Sequence, residues 1–464
     1  MDSKLADDHA AFANLLAVVA EDAARYVEGL DDRPAAVAAE PVAHPSLPER
    51  GVGLAGALDR FAREWEPGLS GSAGGRYLGF VTGGATPAAV AGDWLTSVFD
   101  QNAAGDGASA SDALERHTLT WLAEMFGLPS AMPGSFVTGA TMANVVGLAV
   151  AREWLGEQLG VSVFEAGVAA LGEITVLSAA PHSSIYKALS LLGIGRGALR
   201  IVQSLPGREA VDPAALRAEL AALAGRPAIV VANSGTVNTA DFDDLLAVGR
   251  LREDFPFWLH VDAAFGGFAA LSPEHAHLTH GLHLADSICV DLHKWLNVPY
   301  DSGVQFTHRT DLQARVFHNH AAYLGEPGDN PGFVHLTPEN SRRMRALAAW
   351  FTLTAYGKSG HREIVERDIA AARHFGELID ELPAVRLLDP VRLNVVCFTL
   401  AESPTTQRVA AVLEAVAESG EAFLTPTIHR GFPAIRAAFS NWRTTTPDVD
   451  RVAAALSAAL DAMR

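Results

Sequence analysis

The sequence predicts an α/β fold, a mostly parallel β-sheet covered by helices. Short apolar, β-rich runs alternate with helical stretches through the middle of the chain, at 173–179, 198–203, 227–233, 257–262, 286–291 and 303–307. Alternation at this spacing gives parallel strands joined by right-handed helical crossovers. Several runs end on a polar or charged residue followed by small ones, and in parallel sheets ligands gather at those carboxyl ends. With 464 residues, 49% of them hydrophobic, the chain can bury a large core shared by more than one domain.

From the N-terminus, Phe12, Leu15, Leu16 and Val19 recur at helical spacing, so 5–30 reads as an amphipathic helix. Pro34, Pro41, Pro45 and Pro48 preclude a regular helix, and a second helix is expected over 54–65. Asp2, Asp7 and Asp8 open the chain where a signal peptide would carry basic residues and then an apolar stretch. No apolar run reaches membrane-spanning length. The net charge of −19, from 54 acidic and 35 basic residues, argues against nucleic acid and anionic membranes as partners. Cys289 and Cys397 both sit in apolar runs, as buried thiols of a reducing compartment do, and a cytoplasmic protein is expected.

A Gly-rich loop at 76–87 leads into a helix, a weak signal that a plain connection explains equally. At 135–154 a strand, a small-residue turn and a helix start aim free N–H groups at one point, which is how a phosphate is held. Gly139, Ala140 and Thr141 are the candidates, although the Thr141 hydroxyl serves equally as a helix cap. His182 follows the 173–179 strand, and Asn233-Ser234-Gly235-Thr236-Val237 follows the 227–233 strand.

The two most informative stretches end at Asp262 and Lys294. The apolar strand 257–262 delivers Asp262 and then small residues, among them Ala264. The run 287–290 delivers Asp291-Leu292-His293-Lys294-Trp295. A lysine is costly to bury charged, and a neutral amine is what condenses with an aldehyde. A carboxylate at a neighbouring strand end keeps a pyridinium nitrogen protonated, so this Lys and Asp fit a pyridoxal phosphate site. The blander readings are an exposed lysine at a strand end and an aspartate capping the next helix. His275, His277, His280 and His283 match no familiar zinc spacing, no cysteine assists, and no metal is expected. The Gly- and Pro-rich stretch 317–332 reads as a long loop of the kind that forms lids. A helix over 342–356 then precedes alternating helices and strands, including 393–400 and 435–440, that predict a smaller α+β domain.

The stretches around Asp262 and Lys294 resemble the group II pyridoxal-phosphate-dependent amino acid decarboxylases, the family of the aromatic amino acid, histidine and glutamate decarboxylases, from about Arg76 to the C-terminus. The resemblance implies fold type I: a mostly parallel seven-stranded sheet with helices on both faces, N-terminal helices and a small α+β C-terminal domain. It implies a dimerisation segment at 1–75, a cofactor domain at 76–345 and the small domain at 346–464, in a homodimer with active sites at the subunit interface. It makes Lys294 the Schiff-base lysine, Asp262 the partner of the ring nitrogen and His182 the imidazole stacked on the ring. Thr236, Ala264, Asp291 and His293 join Gly139, Ala140 and Thr141 as cofactor contacts, and Tyr323 becomes the lid tyrosine that protonates the α-carbon. Phe80, Thr82 and Gln101 face the substrate, with Gln101 in a segment that borders the neighbouring subunit's site. Gly79 and Val81 depart from the larger aromatic ring and the proline of aromatic-specific members, and Val237 from a second threonine. The implied reaction converts an L-amino acid to its amine and carbon dioxide. Transamination, β-elimination and oxidative decarboxylation to an aldehyde share the same Lys and Asp.

Overall fold

In a computed structural model that describes residues 1–38, 46–103, 109–130, 132–319, 328 and 330–463, seven short runs form one sheet. They are β1 (Gly134–Val137), β2 (Val176–Ser178), β3 (Leu199–Ile201), β4 (Ala228–Asn233), β5 (Phe257–Asp262), β6 (Ser287–Asp291) and β7 (Gly303–Thr307). All but β3 are buried along their whole length, which is why they read as unbroken apolar runs without alternation. The strand order is β1-β7-β6-β5-β4-β2-β3. Neighbours from β3 to β6 pair parallel, whereas β7 runs antiparallel to both β6 and β1. The reversal follows from the short connection 292–302, too short for the helical crossover that a parallel pair requires.

The N-terminal amphipathic stretch forms α1 (Ser3–Ala10) and α2 (Phe12–Glu28), broken at Ala11, with α3 (Gly53–Glu64) after them. Helices α4 (Pro87–Phe99), α5 (Ser111–Met125) and α6 (Ala140–Leu159) follow. Helix α6 packs across β5, β6 and β7, so its N-terminus opens at the carboxyl ends of the central strands. The helix expected to span 342–356 begins at Ala346 and runs to Asp380, continuing past a break at Gly357, where φ is +57°. It carries Leu353, Ile364 and Ile369 into the core under the large sheet, then Phe375 and Ile379 into a second core. That second core lies on an antiparallel sheet of β8 (Val385–Leu387), β9 (Val395–Leu400), β10 (Thr425–His429) and β11 (Phe432–Ala438), ordered β10-β11-β9-β8. Leu78 packs into it from the Gly-rich loop. Among the described residues, no helix is long and apolar enough to cross a membrane.

Charged groups tie the two sheets together. Glu209 accepts hydrogen bonds from Thr236 and Thr239 at 2.5 and 2.7 Å. His429, at the end of β10, lies 3.4 Å from Glu209 and 2.7 Å from Asp389. Burial pulls the His429 pKa down, but the bonds to Glu209 and Asp389 outweigh it and raise the pKa above the ordinary histidine value. The folded protein therefore binds this proton more tightly than the unfolded chain does. Its stabilisation is complete below the unfolded pKa of about 6.5 and is lost as pH rises through the folded value. Arg208, Arg392 and Arg430, paired with Asp241 and Asp389, stay charged across that window. We expect the thermal midpoint to fall as pH rises through it, and to fall less steeply in His429→Gln. Equal slopes in the two proteins would place the pH dependence elsewhere.

Candidate active site

Parallel pairing puts Asn233 and Asp262, the last residues of β4 and β5, level with Cys289 in the middle of β6. Asp262 is 7% exposed there, and its carboxylate meets three donors: Asn144 Nδ2 at 3.1 Å, the Ala264 N–H at 3.2 Å and Cys289 Sγ at 3.8 Å. Strand β6 ends at Asp291, and Leu292–Trp295 follow as a single helical turn. The buried indole of Trp295 donates to Asp368 at 2.7 Å and anchors that turn in the core. Lys294 lines a cavity of about 750 Å³.

Of the residues expected to hold a cofactor, Ala140, Thr141, His182, Asp262 and Ala264 line this cavity, as do Thr236, Asp291, His293 and Lys294. Phe80 and Thr82 line it on the substrate side. Gly139 lies just behind, where a Cβ would come within 3.2 Å of the His293 ring and 3.3 Å of Asp291. Gln101 is outside the lining; it is exposed and donates to the Phe99 carbonyl at 2.9 Å. Tyr323 lies outside the described residues. The four histidines at 275–283 fall in and around 3₁₀ turns between β5 and β6, and His275 bonds Ser272 and Arg373. Among the described residues no group of His, Cys, Asp or Glu gathers to hold a metal ion.

Thr236 lines the cavity; its hydroxyl hydrogen goes to Glu209, and the oxygen accepts from the Asp241 N–H. Asp291 Oδ1 accepts from the Ala140 N–H at 3.1 Å, at the N-terminus of α6. The same carboxylate lies 3.3 Å from Lys294 Nζ and 3.0 Å from His293 Nδ1. Asp291 thus ties the lysine turn to the helix start.

His293 Nδ1 faces two acceptors, Asp291 and the Ser302 carbonyl at 3.1 Å, so this nitrogen carries the proton. Burial lowers the pKa of both His293 and His182. The Gly-rich loop closes over the lysine turn at Gly83, where a Cβ would sit 1.8 Å from the Lys294 carbonyl oxygen. Asn297, in the left-handed region at φ 56°, donates to the carbonyls of Gly83 and Ser440 at 2.7 Å each, joining loop, turn and small sheet. Phe80 adopts φ 58° in the same loop, a costly conformation for phenylalanine.

Several lining residues were not legible in advance. Arg436 reaches in from β11 and donates to the Val237 carbonyl at 2.8 Å; its only sequence signal is a lone arginine inside an apolar run. Tyr300 lines the cavity with its ring 4.4 Å from His293. The space left by Gly79 is filled by Phe423, since a Cβ at Gly79 would come within 2.3 Å of that ring. Phe423 also stacks on Tyr77 at 4.6 Å, so a ring from the small domain occupies the place of the missing aromatic.

Residues 66–401 match the pyridoxal-dependent decarboxylase conserved domain, most of the chain and every described residue of the lysine and aspartate strands. The chain belongs to the pyridoxal-dependent decarboxylase family. It is 27% identical to an aromatic-L-amino-acid decarboxylase of Bacillus atrophaeus over 387 residues, covering 80% of this chain and 78% of that one. To the mouse aromatic-L-amino-acid decarboxylase it is 33% identical over 312 residues, 63% of this chain and 64% of the mouse protein. Its fold superposes on Oryza sativa TDC solved with PLP and tryptamine with a TM-score of 0.89, at 24% identity over 99% and 98% of the chains. As a member of the family it is a pyridoxal-phosphate-dependent decarboxylase. The cavity fits that cofactor: it offers an amine, a carboxylate with three donors, an imidazole and a helix N-terminus, and Thr82 Oγ1 is buried there with no partner among the described residues.

Proposed function

We propose that the protein decarboxylates an aromatic L-amino acid to its amine. The observation that carries this reading is that Lys294, Asp262 and His182 share one cavity with an aromatic wall of Tyr77, Phe80 and Tyr300. The names of the relatives support the same substrate class. When bound, pyridoxal phosphate supplies an aldehyde that condenses with amines and a pyridinium ring that withdraws electrons. Lys294 is the amine that attaches it, and Asp291 holds that lysine in place. Asp262 would hold a proton at the ring nitrogen, and His182 would help hold the ring. The backbone N–H groups of Thr141 and Met142, which have no intrahelical partner in the first turn of α6, hold the phosphate.

Arg436 binds the substrate carboxylate, and Thr82 offers its unpartnered hydroxyl nearby. Tyr323 delivers a proton to the α-carbon after carbon dioxide leaves. The subunit pairs with a second copy, with residues 1–75 as the dimerisation segment, 76–345 as the cofactor domain and 346–464 as the small domain. Exposed Leu5, Phe12, Leu16 and Phe61 on α1 to α3 support that pairing. Gln101 then serves the neighbouring site, and the dimer works in the cytoplasm.

The test is carbon dioxide release with product mass across aromatic, acidic and basic amino acids, using purified protein and pyridoxal phosphate. We expect amine and carbon dioxide in equal amounts from an aromatic substrate, without oxygen uptake. Tyr323→Phe is expected to lower amine release by about 10²-fold or more. Aldehyde, keto acid or an eliminated product from the wild type would replace this reading.

A further inference from the structure

Beneath the cavity lies a run of buried polar side chains that the mechanism does not use. Trp258 Nε1 donates to Ser287 Oγ at 2.9 Å, and Ser287 Oγ lies 2.8 Å from His260 Nδ1. His260 Nε2 is 2.8 Å from Asn144 Oδ1. Asn144 Nδ2 then donates twice, to Asp262 Oδ2 at 3.1 Å and to Ser184 Oγ at 3.0 Å. Ser184 Oγ in turn lies 2.8 Å from His182 Nδ1. Ser287, His260 and Asn144 are all fully buried.

Proton counting gives this chain a single direction. An indole N–H only donates and an ionised carboxylate only accepts, so both ends are fixed. The Asp262 carboxylate turns the Asn144 amide nitrogen toward itself, so Asn144 Oδ1 faces His260 Nε2, which carries the proton, and Ser287 gives its hydrogen to His260 Nδ1. The Asn144 amide must then present both hydrogens to Asp262 and Ser184. His182 Nδ1 accepts from the Ser184 backbone N–H at 3.3 Å, which leaves the His182 proton on Nε2 and lets the Ser184 hydroxyl donate to Nδ1 as well. Burial lowers the His260 pKa to about 4, so the imidazole is neutral and the count holds at neutral pH. Helix α6 makes room for the arrangement at Gly147, one turn beyond Asn144, where a Cβ would press to 2.8 Å from the His260 ring and 3.2 Å from Ser287 Oγ.

We infer that Asn144 is a positioning residue for the Asp262 carboxylate, holding it through one amide hydrogen while His260, protonated on Nε2, fixes the orientation of the amide through its oxygen. This rests on the reading of Asp262 as a cofactor contact. Reversal is blocked, because turning the Asn144 amide would set its oxygen against the Asp262 carboxylate and leave two buried donors facing each other at His260. Trp258, Ser287 and His260 thus act at a distance on Asp262.

The experiment follows the imidazole nitrogens of the full-length holoenzyme by NMR with ¹⁵N-labelled histidine, assigning signals by their loss in His182→Gln and His260→Gln. The expected wild-type result is the Nε2–H tautomer for both, unchanged between about pH 6 and 8. In Asn144→Ala the His260 signal leaves that form while His182 keeps it, and the dissociation constant for pyridoxal phosphate rises by about tenfold or more. Ser184→Ala keeps the His260 signal, and cofactor affinity stays within about twofold. A wild-type His260 protonated on Nδ1, or an Asn144→Ala protein with wild-type cofactor affinity, overturns the inference. Because the tautomers are read without turnover, a failure of the proposed reaction would leave this result standing.

Discussion

Lys294→Ala is expected to abolish decarboxylation, by on the order of 10⁴-fold or more, while leaving the fold intact. The size follows from losing the only side-chain amine that lines the cavity among the described residues, and with it the attachment point of the cofactor. The preserved fold follows from what remains around Asp291. Its carboxylate loses a partner at 3.3 Å but keeps the His293 N–H at 3.0 Å and the Ala140 N–H at 3.1 Å. No buried charge is left bare, so a large loss of stability is not expected. Activity and thermal midpoint measured on the same preparations separate the two effects. Hydride reduction followed by peptide mass should mark Lys294 in the wild type and nothing in the variant. Residual activity above about a tenth of wild type would remove Lys294 from the attachment role.

What could be read in advance depended on whether a feature is local. Strands β5 and β7 were expected with the bounds they have, because a strand buried on both faces is a continuous apolar run ended by polar or small residues. Strands β8 and β10 were missed: each is short and partly exposed, and neither gives a clear alternation. The direction of β7 is a property of its connection, which hydropathy does not record. Gly357, at φ +57°, ends the first helical segment where the 342–356 reading placed its end, and a second segment continues to Asp380 on the other core. The same division holds at the cavity. Asp262 and Lys294 announce themselves at strand ends, whereas Arg436 and Phe423 arrive from a different sheet or loop, and their relevance depends on tertiary approach alone. Asn144 was passed over inside an apolar helical run, although an amide buried there always needs partners. Thr236 was expected near the site, but its bond to Glu209, 27 residues away in sequence, has no local signal.

Asp262→Asn separates attachment from electronics. The substitution keeps the shape of the side chain and leaves Lys294 in place, so covalent capture of the cofactor should persist. What disappears is the negative charge that holds a proton on the ring nitrogen, and kcat should fall by about 10³-fold with a much smaller change in KM. The neighbours add a second cost. Asn144 and Ala264 both direct N–H groups at the two carboxylate oxygens, and an amide can accept on only one side. Its NH₂ must therefore meet one of those donors, weakening cofactor binding by about tenfold as well. Asp262→Glu retains the charge on a longer stem and should recover part of kcat. The pattern that would sink the assignment is Asp262→Asn with kcat within a few-fold of wild type, since a carboxylate that can be neutralised without slowing turnover is not holding the ring proton. If Asp262→Asn and Lys294→Ala both lose activity but only the lysine variant loses the covalent mark, the two strand ends have separate tasks, one holding the cofactor and the other setting its charge.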